Sequence, residues 1–439
     1  MIFYLNLKIG SKIFQQQIYM HKLLSLILLV SFPAWMSAQI QIKKPDIDKG
    51  NPFSIPFGSD NSVSVPFQYI NEFIVVDVIL NNAVPLKFIF DTGSETSIIT
   101  DLEVVQSLKI PRGRLVEVYG ADRSTRIPAQ ILPFITLNMG SLQFEYFPIL
   151  LLLDDYFNTS TSIGIETHGI IGADLLKRFI VEINPSDRVL VFHKRLPPEY
   201  KLKKYTQLEC DYIKGRFFVD LDLEQNGKNS VENFLIDTGA NRPVVYRMDS
   251  IDQELSNYLI PTTISQGLGG DIRGYLGLAQ KLDLKEGQQK NIPIQYHVIE
   301  QVDPEVSFKN GIIGNPVLKQ FDMIFDYGKG EVYLKKNKFF SKGVKRDKSG
   351  IYLYASGPGL NKFIVSHVVP NSPADKVGVL KNDQIIAVKG INKRLLGLTD
   401  INRKFQKKSG KRIKLKIKRE EETFILKIEL EDYLLKNFS

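Results

Sequence analysis

One strand–turn–strand pattern occurs twice in this chain, and any fold must accommodate both copies alike. The first copy is Val75-Val76-Asp77-Val78-Ile79-Leu80, a turn at Asn81-Asn82, then Leu86-Lys87-Phe88-Ile89-Phe90 running into Asp91-Thr92-Gly93-Ser94. The second is Phe218-Val219-Asp220-Leu221-Asp222-Leu223, a turn near Asn226-Gly227, then Phe234-Leu235-Ile236 running into Asp237-Thr238-Gly239-Ala240. About 75 residues after each aspartate comes the same tetrapeptide, Gly169-Ile170-Ile171-Gly172 and Gly311-Ile312-Ile313-Gly314. The ends match as well: Gly172 to Phe179 and Gly314 to Phe321 each read as a short helix, with Pro316 tolerated in its first turn. Each helix precedes a hairpin, 180–192 and 323–334. Duplication at this period implies two similar lobes and not a solenoid, which needs more and shorter units. Two copies of one carboxylate can then meet across a pseudo-twofold axis.

Alternating strands and turns rich in Asn, Gly and Pro make the chain mostly β. The repeats span 67–196 and 205–334, with Pro197-Pro198 at the boundary. Before them, 39–66 is polar and reads as a linker or as a strand added to a sheet edge. After them, 335–350 is basic and poor in apolar residues, which predicts a flexible linker. A third domain occupies 351–430.

The N-terminus has the pattern of an export signal over 1–38. His21-Lys22 gives a short positive start, Leu23 to Phe32 is apolar, and Met36-Ser37-Ala38 offers small residues for cleavage. Met20 is a second candidate start. The apolar run is short for a membrane span, so membrane contact is expected only through this segment if it stays uncleaved. With Cys210 as the sole cysteine, no disulfide forms within the chain. Export without disulfides suits a bacterial envelope, periplasm or outer surface. The five histidines are scattered, without the helical pairing of a zinc hydrolase, so neither metal nor cofactor is expected. The formal net charge of +9 gathers in the C-terminal third and forms no basic stripe interleaved with aromatics, which argues against nucleic-acid binding.

The repeated Asp-Thr-Gly suits acid–base chemistry. An apolar strand delivers each aspartate to a partly buried place. Thr can hydrogen-bond across the axis, and Gly permits a tight turn with an amide facing the carboxylate. Two such carboxylates in contact share a proton, and their ionisation belongs to the pair. The charged member can take a proton from water while the protonated member polarises a carbonyl.

These motifs resemble those of aspartic proteases of the pepsin and retropepsin clan over 67–334, with both halves on one chain. The resemblance implies two retropepsin-like β-barrel lobes, hydrolysis of peptide or protein substrates, and an active site complete in a monomer. Asp91 and Asp237 would be the catalytic pair. Thr92 and Thr238 would lock the loops together, and Gly93 and Gly239 would shape them. Ser94 matches a residue that bonds its own aspartate in that clan, whereas Ala240 cannot. Ile170-Ile171-Gly172 and Ile312-Ile313-Gly314 match the strand that threads behind each loop. Flaps are expected at Tyr119-Gly120 in the first lobe and at Gly267, Gly269 and Gly270 in the second. Ile149 to Leu153 reads as a buried strand, and His168 as structural.

The third domain resembles a bacterial PDZ domain, through Ser372-Pro373-Ala374, Val377-Gly378-Val379 and Asn382-Asp383-Gln384-Ile385-Ile386. A peptide ligand is then expected near Gly359 and Leu360, although Pro358 removes one amide donor there; on its flexible linker the domain would recruit a substrate or partner, the alternative being a module for packing or dimerisation. Two alternatives stand beside the protease. One is a non-catalytic envelope scaffold whose lobes and PDZ domain only hold peptides. The other, a PDZ-containing serine protease, lacks any Gly-Asn-Ser-Gly-Gly nucleophile loop.

Overall fold

A computed structural model describes residues 61–119, 126–154, 159–197, 200, 202–248, 259–267, 270–298, 311–389, 391 and 396–438. The export segment expected at 1–38 lies outside them. Among the described residues no helix is long and apolar enough to cross a membrane.

Both repeats begin as the hairpins their patterns predict. Strand Phe73–Leu80 pairs antiparallel with Val84–Phe90, and Arg216–Gln225 with Lys228–Asp237. Ile74, Val76, Val78 and Leu80 point into the core while Asp77 and Ile79 face solvent, the period-two alternation of a half-buried strand. The turns use left-handed residues, Asn81 and Asn82 at φ 48° and 57°, Asn226 and Gly227 at 49° and 72°. Such turns match the right-handed twist of the strands they join.

Each repeat continues into an eight-stranded sheet, and the two sheets have the same strand order. Extra pairings, Ile79↔Asn138 in the first and Leu223↔Leu282 in the second, curl each sheet into a barrel-like form. In both barrels the Gly-Ile-Ile strand runs parallel to the strand that leads into the aspartate loop. It is also antiparallel to the strand that follows the aspartate loop. That double pairing holds the loop's two ends together.

A six-stranded sheet joins the halves. Its order is Ser62–Pro66, Val189–His193, Ile180–Asn184, Phe321–Asp326, Glu331–Lys336 and Thr206–Leu208. The central pairing, Val181↔Phe325, crosses from one repeat to the other. Phe90, Phe179, Phe192, Phe217, Phe321 and Phe325 are buried around it in one apolar core shared by both repeats. Ser62–Pro66, from the segment expected to be a linker or edge strand, is the edge strand of this sheet.

Ile351–Ser356, Lys362–Val368, Gln384–Val388, Arg412–Arg419 and Glu422–Glu429 form a separate five-stranded sheet with its own core. Helix Leu398–Phe405 covers it with Leu398, Ile401 and Phe405.

The expectation of a flexible linker over 335–350 is corrected. Lys335 and Lys336 belong to the last strand of the six-stranded sheet, and Phe340–Lys342 forms a 3₁₀ turn whose Phe340 packs on Phe321. The Arg346 guanidinium grips Asp432 at 2.6 and 2.9 Å and donates to the Asn291 carbonyl at 3.0 Å. Asp347 accepts from the Ser349 and Gly350 amides. Charge composition concealed these specific partners. The C-terminal unit also runs past residue 430 into helix Tyr433–Phe438. There Tyr433 and Leu434 pack with Val369 against Ile260, Leu276 and Leu278 of the second barrel.

Candidate functional site

The loops 91–94 and 237–240 meet between the barrels. Their contact is a reciprocal lattice of four buried hydrogen bonds. Thr92 Oγ1 donates to the Ile236 carbonyl at 2.8 Å and accepts from the Thr238 amide at 3.1 Å. Thr238 Oγ1 donates to the Phe90 carbonyl at 2.8 Å and accepts from the Thr92 amide at 3.0 Å. Both threonines are fully buried. An interior hydroxyl left unpaired costs about 1–3 kcal/mol, so this lattice favours one relative position of the loops.

The lattice sets the two carboxyls face to face, close enough for each to shift the other's ionisation. The glycines make this approach possible: a Cβ on Gly93 would collide with the Asp237 carboxyl, and one on Gly239 with that of Asp91. Asp91 accepts from the Gly93 amide at 2.7 Å and the Ser94 amide at 3.1 Å. Asp237 accepts from the Gly239 amide at 2.7 Å. Burial raises both carboxyls, and for Asp237 the neighbouring Asp91 adds to it, pushing it well above the carboxylate range. Asp91, with more amide donors, is the better place for the single negative charge.

Ser94 departs from expectation. Its hydroxyl donates to the Thr96 carbonyl at 2.9 Å, and only its amide serves Asp91. The first loop is latched further on, where the Ser97 hydroxyl and amide both donate to Asp174 and the Gly172 amide donates to Ser97 Oγ. The sequence reading missed Arg216, which enters beside the pair. It bonds Glu95 at 2.6 Å across the barrels and senses both aspartates. Only the fold brings Arg216 to that loop, since its position in sequence carries no motif. His168 accepts from the Lys87 amide through Nδ1 and plays a structural part.

The carboxyls open into a cavity of about 1720 Å³. Symmetry-related apolar residues line it, Ile89 with Leu235 and Ile170 with Ile312. Leu150, within the strand expected to be buried, also reaches it. Basic residues outnumber acidic ones on its walls. His297, also in the wall, is lowered to about 4 by burial and then by Arg247, so it is neutral at ordinary pH. Both expected flap segments are β-hairpins in equivalent places of the two barrels, Leu115–Tyr119 with Arg126–Met139 and Ile260–Gly267 with Gly270–Asp283. Val118 and Ile264 of these hairpins line the cavity. Tyr119 ends its strand, and Gly267 pairs with Gly270 at the second tip. Gly120 and Gly269 lie outside the described residues. Among the described residues no cluster of His, Cys, Asp and Glu could hold a metal ion.

The third wall of the cavity comes from the C-terminal unit, through Tyr352, Leu353, Tyr354, Thr399 and Asn402. Gly359 and Leu360 sit in an exposed 3₁₀ turn, where the Leu360 amide already donates to the Gly357 carbonyl. With Pro358 beside them, few amides remain for a peptide carboxylate.

Residues 364–419 match the family model of a PDZ domain, so the C-terminal unit is a PDZ domain. No curated protein matches the chain.

Proposed function

We propose that this chain is a single-chain aspartic endopeptidase whose two barrels are retropepsin-like lobes, with the PDZ domain as a further wall of its substrate cleft. The observation that carries the reading is the contact of Asp91 and Asp237 across the threonine lattice. Buried turns of unrelated purpose would have no reason to pair two carboxyls at such electrostatic cost.

In this reading one proton resides on the pair, on Asp237, and Asp91 carries the charge. A water held between them attacks the carbonyl carbon of the scissile peptide. Asp91 takes a proton from that water while Asp237 gives its own to the carbonyl oxygen, leaving a tetrahedral diol. Asp91 then returns its proton to the amide nitrogen, Asp237 recovers one from a hydroxyl, and the C–N bond breaks. Holding water and carbonyl between fixed groups accounts for much of the acceleration. The substrate is a polypeptide segment, because the cavity of about 1720 Å³ is lined by residues of both barrels on either side of the pair. Its excess of basic residues favours acidic flanking residues. The signal-like N-terminus fits an exported enzyme.

The PDZ domain fits peptide binding in general, so a scaffold without turnover is the competing reading. Incubation with a peptide pool separates the two: defined new termini support the protease, and binding without cleavage supports the scaffold.

A further inference from the structure

The two aspartate loops are braced differently. In the first, Ser97 and Asp174 form the latch described above. In the second repeat the matching positions are Pro243, six residues after Asp237, and Pro316, two residues after Gly314. Neither proline can donate or accept through its side chain, so the side-chain latch is missing and only a backbone bond, from the Gly314 amide to the Pro243 carbonyl at 3.0 Å, ties the two positions. The second barrel still holds the loop on one side. The Asn315 amide donates to the Ala240 carbonyl at 2.9 Å, and Asn315 Nδ2 donates to the Thr238 carbonyl at 2.5 Å.

On its other side stands the PDZ domain. The Arg242 guanidinium lies 4.9 Å over the ring of Tyr352. That ring in turn stacks on His367 at 4.2 Å and 17°. Tyr352 is thus held between its own domain and the loop, five residues from Asp237. The domain is fixed in this pose by Arg346, which pairs with Asp432 and donates to the Asn291 carbonyl of the second barrel, and by the apolar cluster around Leu434. A third anchor joins Asn71 of the first barrel to the PDZ helix: its amide donates to Thr399 Oγ1 at 2.9 Å, and Asn402 Nδ2 donates to Asn71 Oδ1 at 2.8 Å.

We propose that Tyr352 is a positioning residue for the loop that carries Asp237, acting through Arg242 in place of the missing latch. The assignment of consequences for turnover rests on the protease reading above; the brace itself does not. Arg242 and Tyr352 are each half-buried, where a cation–π contact is worth more than at a fully exposed site. The PDZ domain then acts on the chemistry itself and not only on recruitment.

The test uses the full chain and compares Tyr352→Ala, Tyr352→Phe, Arg242→Ala and Arg242→Lys. Hydrogen exchange is read at the amides of Thr238 to Arg242, with those of Thr92 to Ser97 as internal control. Tyr352→Ala and Arg242→Ala are expected to speed exchange in the second loop about tenfold and leave the first unchanged, while Tyr352→Phe and Arg242→Lys keep wild-type exchange in both loops. On a peptide of a few residues, kcat is expected to fall about tenfold with KM nearly unchanged, because a small displacement of one reacting group is costly. The double alanine variant is expected to be no worse than either single one. Unchanged exchange in the second loop, or equal loss in both loops, overturns the brace. If the wild type cleaves nothing while exchange responds as stated, the protease reading fails and the brace stands.

Discussion

Asp91 and Asp237 occupy matching places, yet they differ in the number of amides they face. Burial raises both, so the folded protein keeps protons that the unfolded chain has released above the ordinary carboxylate range. The sign follows: the pair's ionisation costs stability, which is greatest at low pH and declines as pH rises through the raised folded values. Asp237→Asn is therefore expected to melt no lower than wild type at neutral pH in a calorimeter, though inactive. Turnover is expected to be bell-shaped in pH, falling on the alkaline side as the second carboxyl ionises. Thr238→Val tests the lattice. It leaves the Thr92 amide and the Phe90 carbonyl without the hydroxyl, at roughly 2–4 kcal/mol by urea unfolding. At this scale the sequence was informative, because Asp-Thr-Gly names its own neighbours. It was silent on Arg216 and on the Ser94 hydroxyl, whose partners depend on side-chain rotamers and on contacts between barrels.

Among the elements, the hairpins and the Gly-Ile-Ile strands were legible because period-two alternation and Asn-Gly turns are local signals. The segment 335–350 was not, because lysines on a strand and lysines in a linker have the same composition. Its Asp347 is raised to about 6, chiefly by burial, with the Gly350 amide and the Ser349 hydroxyl and amide opposing. A raised carboxylate destabilises the fold once it is ionised, so its contribution worsens as pH climbs from about 4 through about 6. The melting temperature of wild type relative to Asp347→Asn is accordingly expected to improve as pH drops from 7 to 4.5. A constant difference across that range would remove Asp347 from the account.

For the whole molecule, both aspartate loops lie on one chain and their sheets share a core. Specific activity is expected to stay flat on dilution far below any dimer dissociation constant; a fall that tracks dissociation would show that the site is built in trans. The expected division into a protease tethered to a mobile PDZ domain does not describe this molecule, since the PDZ domain packs on the second barrel and lines the cleft. No local pattern in the sequence could have announced that docking, because it joins Arg346 to Asp432 and Ile260 to Leu434 across long separations. Deleting 351–439 is therefore expected to lower the melting temperature and to reduce turnover of short peptides as well as of proteins. Unimpaired short-peptide kinetics in the truncated chain would return the PDZ domain to pure recruitment.

The most direct measurement concerns the carboxyl pair. Purified protein, Asp91→Asn and Asp237→Asn are each incubated with a diverse peptide pool between pH 3 and 7, and new termini are read by mass spectrometry. Defined cleavages are expected from the wild type, with a loss of about a thousandfold or more in both variants, as when one member of a concerted catalytic group is removed. Near-normal cleavage by either variant, or none by the folded wild type at any pH, would contradict this expectation.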